Sequence, residues 1–112
     1  MTPEGKVKAM VKKRLDALPK MYRFMPVQNG MGKPGLDFYL CAGGWFIAIE
    51  TKAPGNKLTE RQETTKAEIE AADGIVFVVD GPESLEYAMQ RIHACCILAE
   101  EIRKAKPMKL TE

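Results

Sequence analysis

Val7, Met10, Val11, Leu15 and Leu18 recur at three- and four-residue spacings, which predicts an amphipathic helix with one apolar stripe turned to a core. Thr2 is placed to cap this helix, Pro3 suits its first turn, and Pro19 ends it. Residues 21–28 alternate loosely and include Pro26, the pattern of an edge strand. Gly30, Gly32, Pro34 and Gly35 then make residues 29–35 a loop. Two strand-like runs, 36–41 and 45–52, are joined through Ala42-Gly43-Gly44, a hairpin signal. Thr59-Glu60-Arg61-Gln62 has capping-box spacing and opens a helix through about Ala72, which Gly74 stops. Residues 75–79 (Ile-Val-Phe-Val-Val) form an apolar, β-branched run of the kind buried on both faces of a sheet. Strand, helix and strand over 45–80 make a βαβ unit, so its strands are expected to be parallel with a right-handed crossover. Gly81-Pro82 introduces a last helix with Leu85, Met89, Ile92, Cys96 and Ala99 along one side. From about Lys104 it frays, so residues 1–105 read as one domain and 106–112 as a tail.

Composition narrows the class. At 112 residues and 46% apolar content the chain has material for one core and no second domain. It has neither the apolar run of a membrane span nor, in residues 1–6, the apolar stretch of a secretory signal. Cysteines number three, with Cys95 and Cys96 adjacent and poorly placed to bridge each other; this predicts a reducing, cytoplasmic setting. His93 beside them lacks a second ligand pair at metal-binding spacing, and a packed helix turn accounts for the cluster. The net charge of +2 hides an asymmetry. Lys6, Lys8, Lys12, Lys13, Arg14, Lys20, Arg23 and Lys33 oppose only Glu4 and Asp16 in the first 33 residues, leaving −4 for the rest. That basic segment suits either a solvated helix face or contact with a polyanion.

The chemistry lies in the hairpin. If Gly43 and Gly44 are its two turn residues, Ala42 faces Trp45 and Asp37 falls opposite Glu50. Opposed residues share a sheet face with Cβ atoms about 4.5–5.5 Å apart, and period-two alternation adds Lys52 to that face. Like charges directly across a ladder destabilise it unless something positive lies between them. Lys52 meets that need, and so does a hard divalent cation such as Mg²⁺ or Mn²⁺, which takes oxygen ligands and is completed by substrate phosphates. The structural alternative is a surface Asp with an exposed Glu-x-Lys pair. A one-residue slip would carry Asp37 to the other face.

Glu4 in a first helix, Gly35-Leu36-Asp37 after a Gly-rich loop, Ile49-Glu50-Thr51-Lys52, Lys52-Ala53-Pro54-Gly55, Leu58-Thr59 and Thr59-Glu60-Arg61-Gln62 occur in this order, followed by the strand from Gly74. Over residues 4–80 this resembles the VRR-NUC branch of the PD-(D/E)XK nuclease superfamily. The resemblance implies an α/β fold with a PD-(D/E)XK nuclease-like core, αβββαβ(α), in which helices flank a mixed central sheet. It implies Asp37, Glu50 and the Thr51 carbonyl as ligands of Mg²⁺ or Mn²⁺, Lys52 as the catalytic lysine, and Glu4 and Gln62 as auxiliary active-site residues. The activity implied is endonucleolytic hydrolysis of DNA, with branched substrates such as Holliday junctions and a homodimer as the working unit. Leu36 replaces the proline of the superfamily's name, and Thr51 stands where an apolar residue is more usual.

The supporting residues also have plainer explanations. Glu4 suits a helix N-terminus whatever its function, and Gln62 completes a capping box. Lys33 and Lys57 flank the site on two loops, and with Lys8 and Lys12 they are candidate DNA-backbone contacts. Trp45 and Phe46 read as core and partial surface, with base stacking a minority alternative. The last helix supplies either a dimer interface or a cover for its own sheet. Flap, nicked and single-stranded DNA remain alternative substrates. The rivals to a nuclease are a non-catalytic nucleic-acid-binding protein of the same fold and a structural subunit with surface ion pairs.

Overall fold

Residues 1–27 and 35–105 are described by the computed structural model of the chain. Thr2 caps helix α1 (Pro3–Asp16) by accepting from the Gly5 N–H, and Val7, Val11 and Leu15 form its buried stripe. Helical bonding stops at Ala17, two residues short of the predicted end. Strands β1 (Met21–Phe24), β2 (Phe38–Ala42) and β3 (Trp45–Thr51) follow as an antiparallel meander. Every β2–β3 pair is as expected for a two-residue Gly43-Gly44 turn, from Ala42 with Trp45 to Phe38 with Ile49. Both glycines have positive φ, as a type I′ hairpin requires. Gly43 is also tightly fitted: a Cβ there would lie 2.6 Å from the Cys95 carbonyl oxygen on the last helix.

Thr59 and Gln62 complete the capping box of α2 (Glu60–Ala71) in both directions. The helix ends in a Schellman arrangement, with Asp73 in the left-handed region and the Gly74 N–H bonded to the Ile69 carbonyl. The stop expected at Gly74 is therefore shared. Asp73 carries the positive φ, while Gly74 is required because a Cβ would come within 2.5 Å of Ile69 Cγ2. Strand β4 (Ile75–Val79) pairs parallel with β3, and α3 (Pro82–Lys104) closes the chain.

The four-stranded mixed sheet has the order β1-β2-β3-β4. Phe38, Leu40, Ile47, Ile49, Phe77 and Val79 point to one face, where they form the core with α1 and the Leu85, Ala88, Met89 and Ile92 face of α3. Cys96, expected in that stripe, is only half-buried. α2 lies on the other face, its Gln62 beside Glu50 and its Ile69 near Phe46. Two expectations fail here. β4 is an edge strand rather than a doubly buried one, and only Phe77 and Val79 are buried, because no strand follows it in the sheet. Trp45 and Phe46 are both exposed, since they stand at the hairpin corner, where α2 reaches only one side of Phe46. No helix among the described residues is long and apolar enough to cross a membrane.

Candidate active site

The site forms where β2 begins and β3 ends. Leu36 is fully buried, and its N–H donates to Tyr39 Oη at 2.9 Å, so the chain entering β2 is held from both sides. Asp37, the next residue, faces the end of β3. Its backbone N–H donates to Glu50 Oε1 at 3.1 Å, which realises the Asp37–Glu50 opposition expected from the register. The Asp37 carboxylate is fixed in turn by Thr51: Oδ2 accepts from the Thr51 N–H at 3.1 Å and from Thr51 Oγ1 at 2.5 Å. Thr51 is fully buried, so this hydroxyl has its partner inside the fold. The residue that departs from the apolar pattern thus has a structural task, one that period-two alternation assigned to the opposite face.

Glu50 is the most constrained acid of the group. It is only 4% exposed, and its second oxygen accepts from Gln62 Nε2 at 2.8 Å. The two roles considered for Gln62 coexist. Its Oε1 accepts from the Thr59 N–H in the capping box, which leaves Nε2 turned toward Glu50. Lys52 is 8% exposed, and its Nζ lies 4.0 Å from both Glu50 Oε2 and Glu4 Oε1. Lys8 Nζ is 3.5 Å from Asp37 Oδ1. Burial, and then the charge of Asp37, push the Glu50 carboxyl up to about 7, against the opposing effects of the Asp37 N–H and Lys52. One nearby lysine therefore does not fully compensate the buried acid.

Glu4, Asp37 and Glu50 border a cleft of about 300 Å³, also lined by Arg61 and by the N-terminal residues of α2, Thr59 and Gln62. A helix N-terminus adds partial positive charge to that wall. Of the residues singled out in the sequence, Asp37, Glu50, Thr51, Lys52, Gln62, Glu4 and Lys8 come together. Lys12 and Lys57 are exposed and do not line the cleft, and Lys33 lies outside the described residues. Sequence reasoning missed Arg61, although its place between two residues of the capping box was a usable signal. It also missed the Thr51 hydroxyl, which no periodic pattern reveals.

Among the described residues no group of three or more His, Cys, Asp or Glu side chains is gathered around one point suited to a metal ion. The donors present are two carboxylates, and a hard cation that retains waters or takes substrate oxygens needs no more than one or two. Cys41, Cys95 and Cys96 are free thiols remote from this cluster, and burial raises Cys95 and Cys96 above the ordinary thiol value. Comparison of the chain with protein-family models, curated proteins and solved structures gives no match.

Proposed function

We propose that this protein is a divalent-cation-dependent DNA endonuclease with a PD-(D/E)XK-type core, similar to the VRR-NUC branch. The observation that carries the reading is the juxtaposition of Asp37 and Glu50, one nearly sealed from water, with Lys52 at 4.0 Å from the buried carboxylate. An arrangement that only maintained the fold would gain nothing from two acids so placed, because burial and mutual repulsion both disfavour their charged forms. The oxygen-only donor set fits Mg²⁺ or Mn²⁺, with Asp37, Glu50 and the Thr51 carbonyl as the protein's ligands. Such a cation supplies Lewis acidity toward the phosphodiester and a lower pKa for attacking water.

The chain's own groups perform the remaining tasks. Thr51 holds the Asp37 carboxylate in a fixed rotamer, and Gln62 does the same for Glu50, so both acids are organised before substrate arrives. Lys52 brings a positive charge to the same end of the sheet, where it orients the attacking water and meets charge developing on the phosphoryl oxygens. Glu4 keeps that ammonium from folding wholly onto Glu50. Lys8 and Arg61 border the acids and meet backbone phosphates, with Lys12, Lys33 and Lys57 as outer contacts. The working unit is a homodimer that places two such sites on one branched DNA.

The test is incubation of the purified protein with four-way, flap, nicked, linear duplex and single-stranded DNA, with Mg²⁺, Mn²⁺ or EDTA, beside Asp37→Asn and Lys52→Ala. Cleavage that needs the cation and is lost in both variants is expected. Binding without cleavage under every metal condition overturns the nuclease reading in favour of a non-catalytic nucleic-acid-binding protein.

A further inference from the structure

The sheet face that carries Glu50 is covered by α2 only over part of β3 and β4. Over β1 and β2 and the start of β3, the side chains on this face are Tyr22, Phe24, Tyr39, Cys41 and Phe46. Tyr22 is 70% exposed, Phe24 55% and Phe46 51%. A solvated sheet face ordinarily alternates to polar residues, and a contiguous exposed apolar patch marks an interaction site. Here the patch is made of rings.

Register ties these rings to the acids. Tyr39 is two residues from Asp37 along β2, about 7 Å away, and Phe24 pairs with Tyr39 on the neighbouring strand. Tyr22 pairs with Cys41, which pairs with Phe46, and the Tyr39 and Phe46 ring centroids are 5.7 Å apart. Tyr39 is fixed through its hydroxyl, which accepts from the Leu36 N–H beside Asp37. The border of this surface is cationic. Lys8 reaches Asp37 from α1, and Arg61 of α2 lines the cleft beside the same acids.

We infer that this open face binds single-stranded nucleic acid, with two or three unstacked bases seated on Tyr22, Phe24 and Phe46 and the backbone passing Lys8 and Arg61 at Asp37. Only an unpaired, unstacked strand offers both faces of its bases to such rings, and the adjacent cations complement its phosphates. The inference rests on the nuclease reading for the use of the site. It deepens that reading by assigning the substrate an unpaired stretch next to the bond that is cut.

Binding is measured in EDTA, without chemistry, by fluorescence anisotropy of a labelled oligothymidylate of about a dozen nucleotides and a duplex of equal length. The wild type is expected to bind the single strand more tightly. Tyr22→Ala with Phe24→Ala is expected to weaken that binding roughly tenfold per ring lost, with unchanged circular dichroism because both rings are exposed. Phe24→Leu keeps the surface apolar but removes the π-face, and it too is expected to weaken binding, whereas Phe24→Trp retains it. A Phe24→Leu protein that binds like wild type, a preference for duplex, or a double variant that loses only dimer mass in light scattering overturns the platform. The two readings fail separately. Absence of cleavage with tight oligothymidylate binding sinks the nuclease alone, and cleavage with undiminished binding by the ring variants sinks the platform alone.

Discussion

Replacing Glu50 with Gln is expected to remove a pH-dependent weakness from the metal-free protein. Burial and the neighbouring Asp37 raise the Glu50 carboxyl from an ordinary 4.5 to about 7 in the folded chain. A carboxyl raised on folding contributes stability that is fully present below its unfolded value and lost as pH rises through its folded one. A pKa difference of one is about 1.4 kcal/mol, so the whole effect is about 3 kcal/mol, most of which falls between pH 5 and pH 8. Against a net stability of about 5–15 kcal/mol for a domain, this is a large share. The measurement is urea unfolding in EDTA at several pH values, followed by far-ultraviolet circular dichroism, for wild type and Glu50→Gln. The wild-type curve is expected to fall by about 2–3 kcal/mol relative to the variant between pH 5 and pH 8. At pH 8 the variant's absolute advantage shrinks to about 2 kcal/mol, because an amide at this position loses a good bond with Gln62 Nε2, a cost of about 1 kcal/mol. Added Mg²⁺ is expected to restore wild-type stability at pH 8 and leave the variant unchanged, since ligation requires the ionised carboxylate. Parallel pH curves for the two proteins would refute the reasoning.

Thr51→Val keeps shape and burial but removes the hydroxyl that holds Asp37 Oδ2; cleavage is expected to fall about tenfold or more while the circular dichroism spectrum is retained, in keeping with the loss of a positioning contact. Gln62→Ala removes the side-chain half of the capping box and the Glu50 bond while the backbone N–H at 62 still donates to Thr59 Oγ1, so urea unfolding should show a loss of about 1–2 kcal/mol along with reduced cleavage. Gly43→Ala puts a Cβ at positive φ within 2.6 Å of the Cys95 carbonyl, and thermal melts are expected to show a loss of about 3 kcal/mol. Gly44→Ala meets no neighbour within 4 Å and is expected to cost only the backbone strain, about 1 kcal/mol.

Local patterns sufficed for the elements and for the heart of the site. Helix caps, apolar periods and the paired glycines are relations between residues a few positions apart, and hydrogen-bond geometry makes such relations decisive within one turn or one hairpin. The Gly43-Gly44 turn alone sets the β2–β3 register, and register alone sets Asp37 against Glu50. The capping box of Thr59 and Gln62 was legible for the same reason. Coverage is a different kind of property, because which helix lies over which strand depends on contacts between distant segments. Only the tertiary structure therefore placed β4 at the edge, left Phe46 and the β1 rings in water, brought Lys8 but not Lys12 to the acids, and turned the Thr51 hydroxyl onto Asp37. Glu50 owes its raised pKa to the same cause. Its charge is written in the sequence, but its desolvation comes from the helix and strands that close around it.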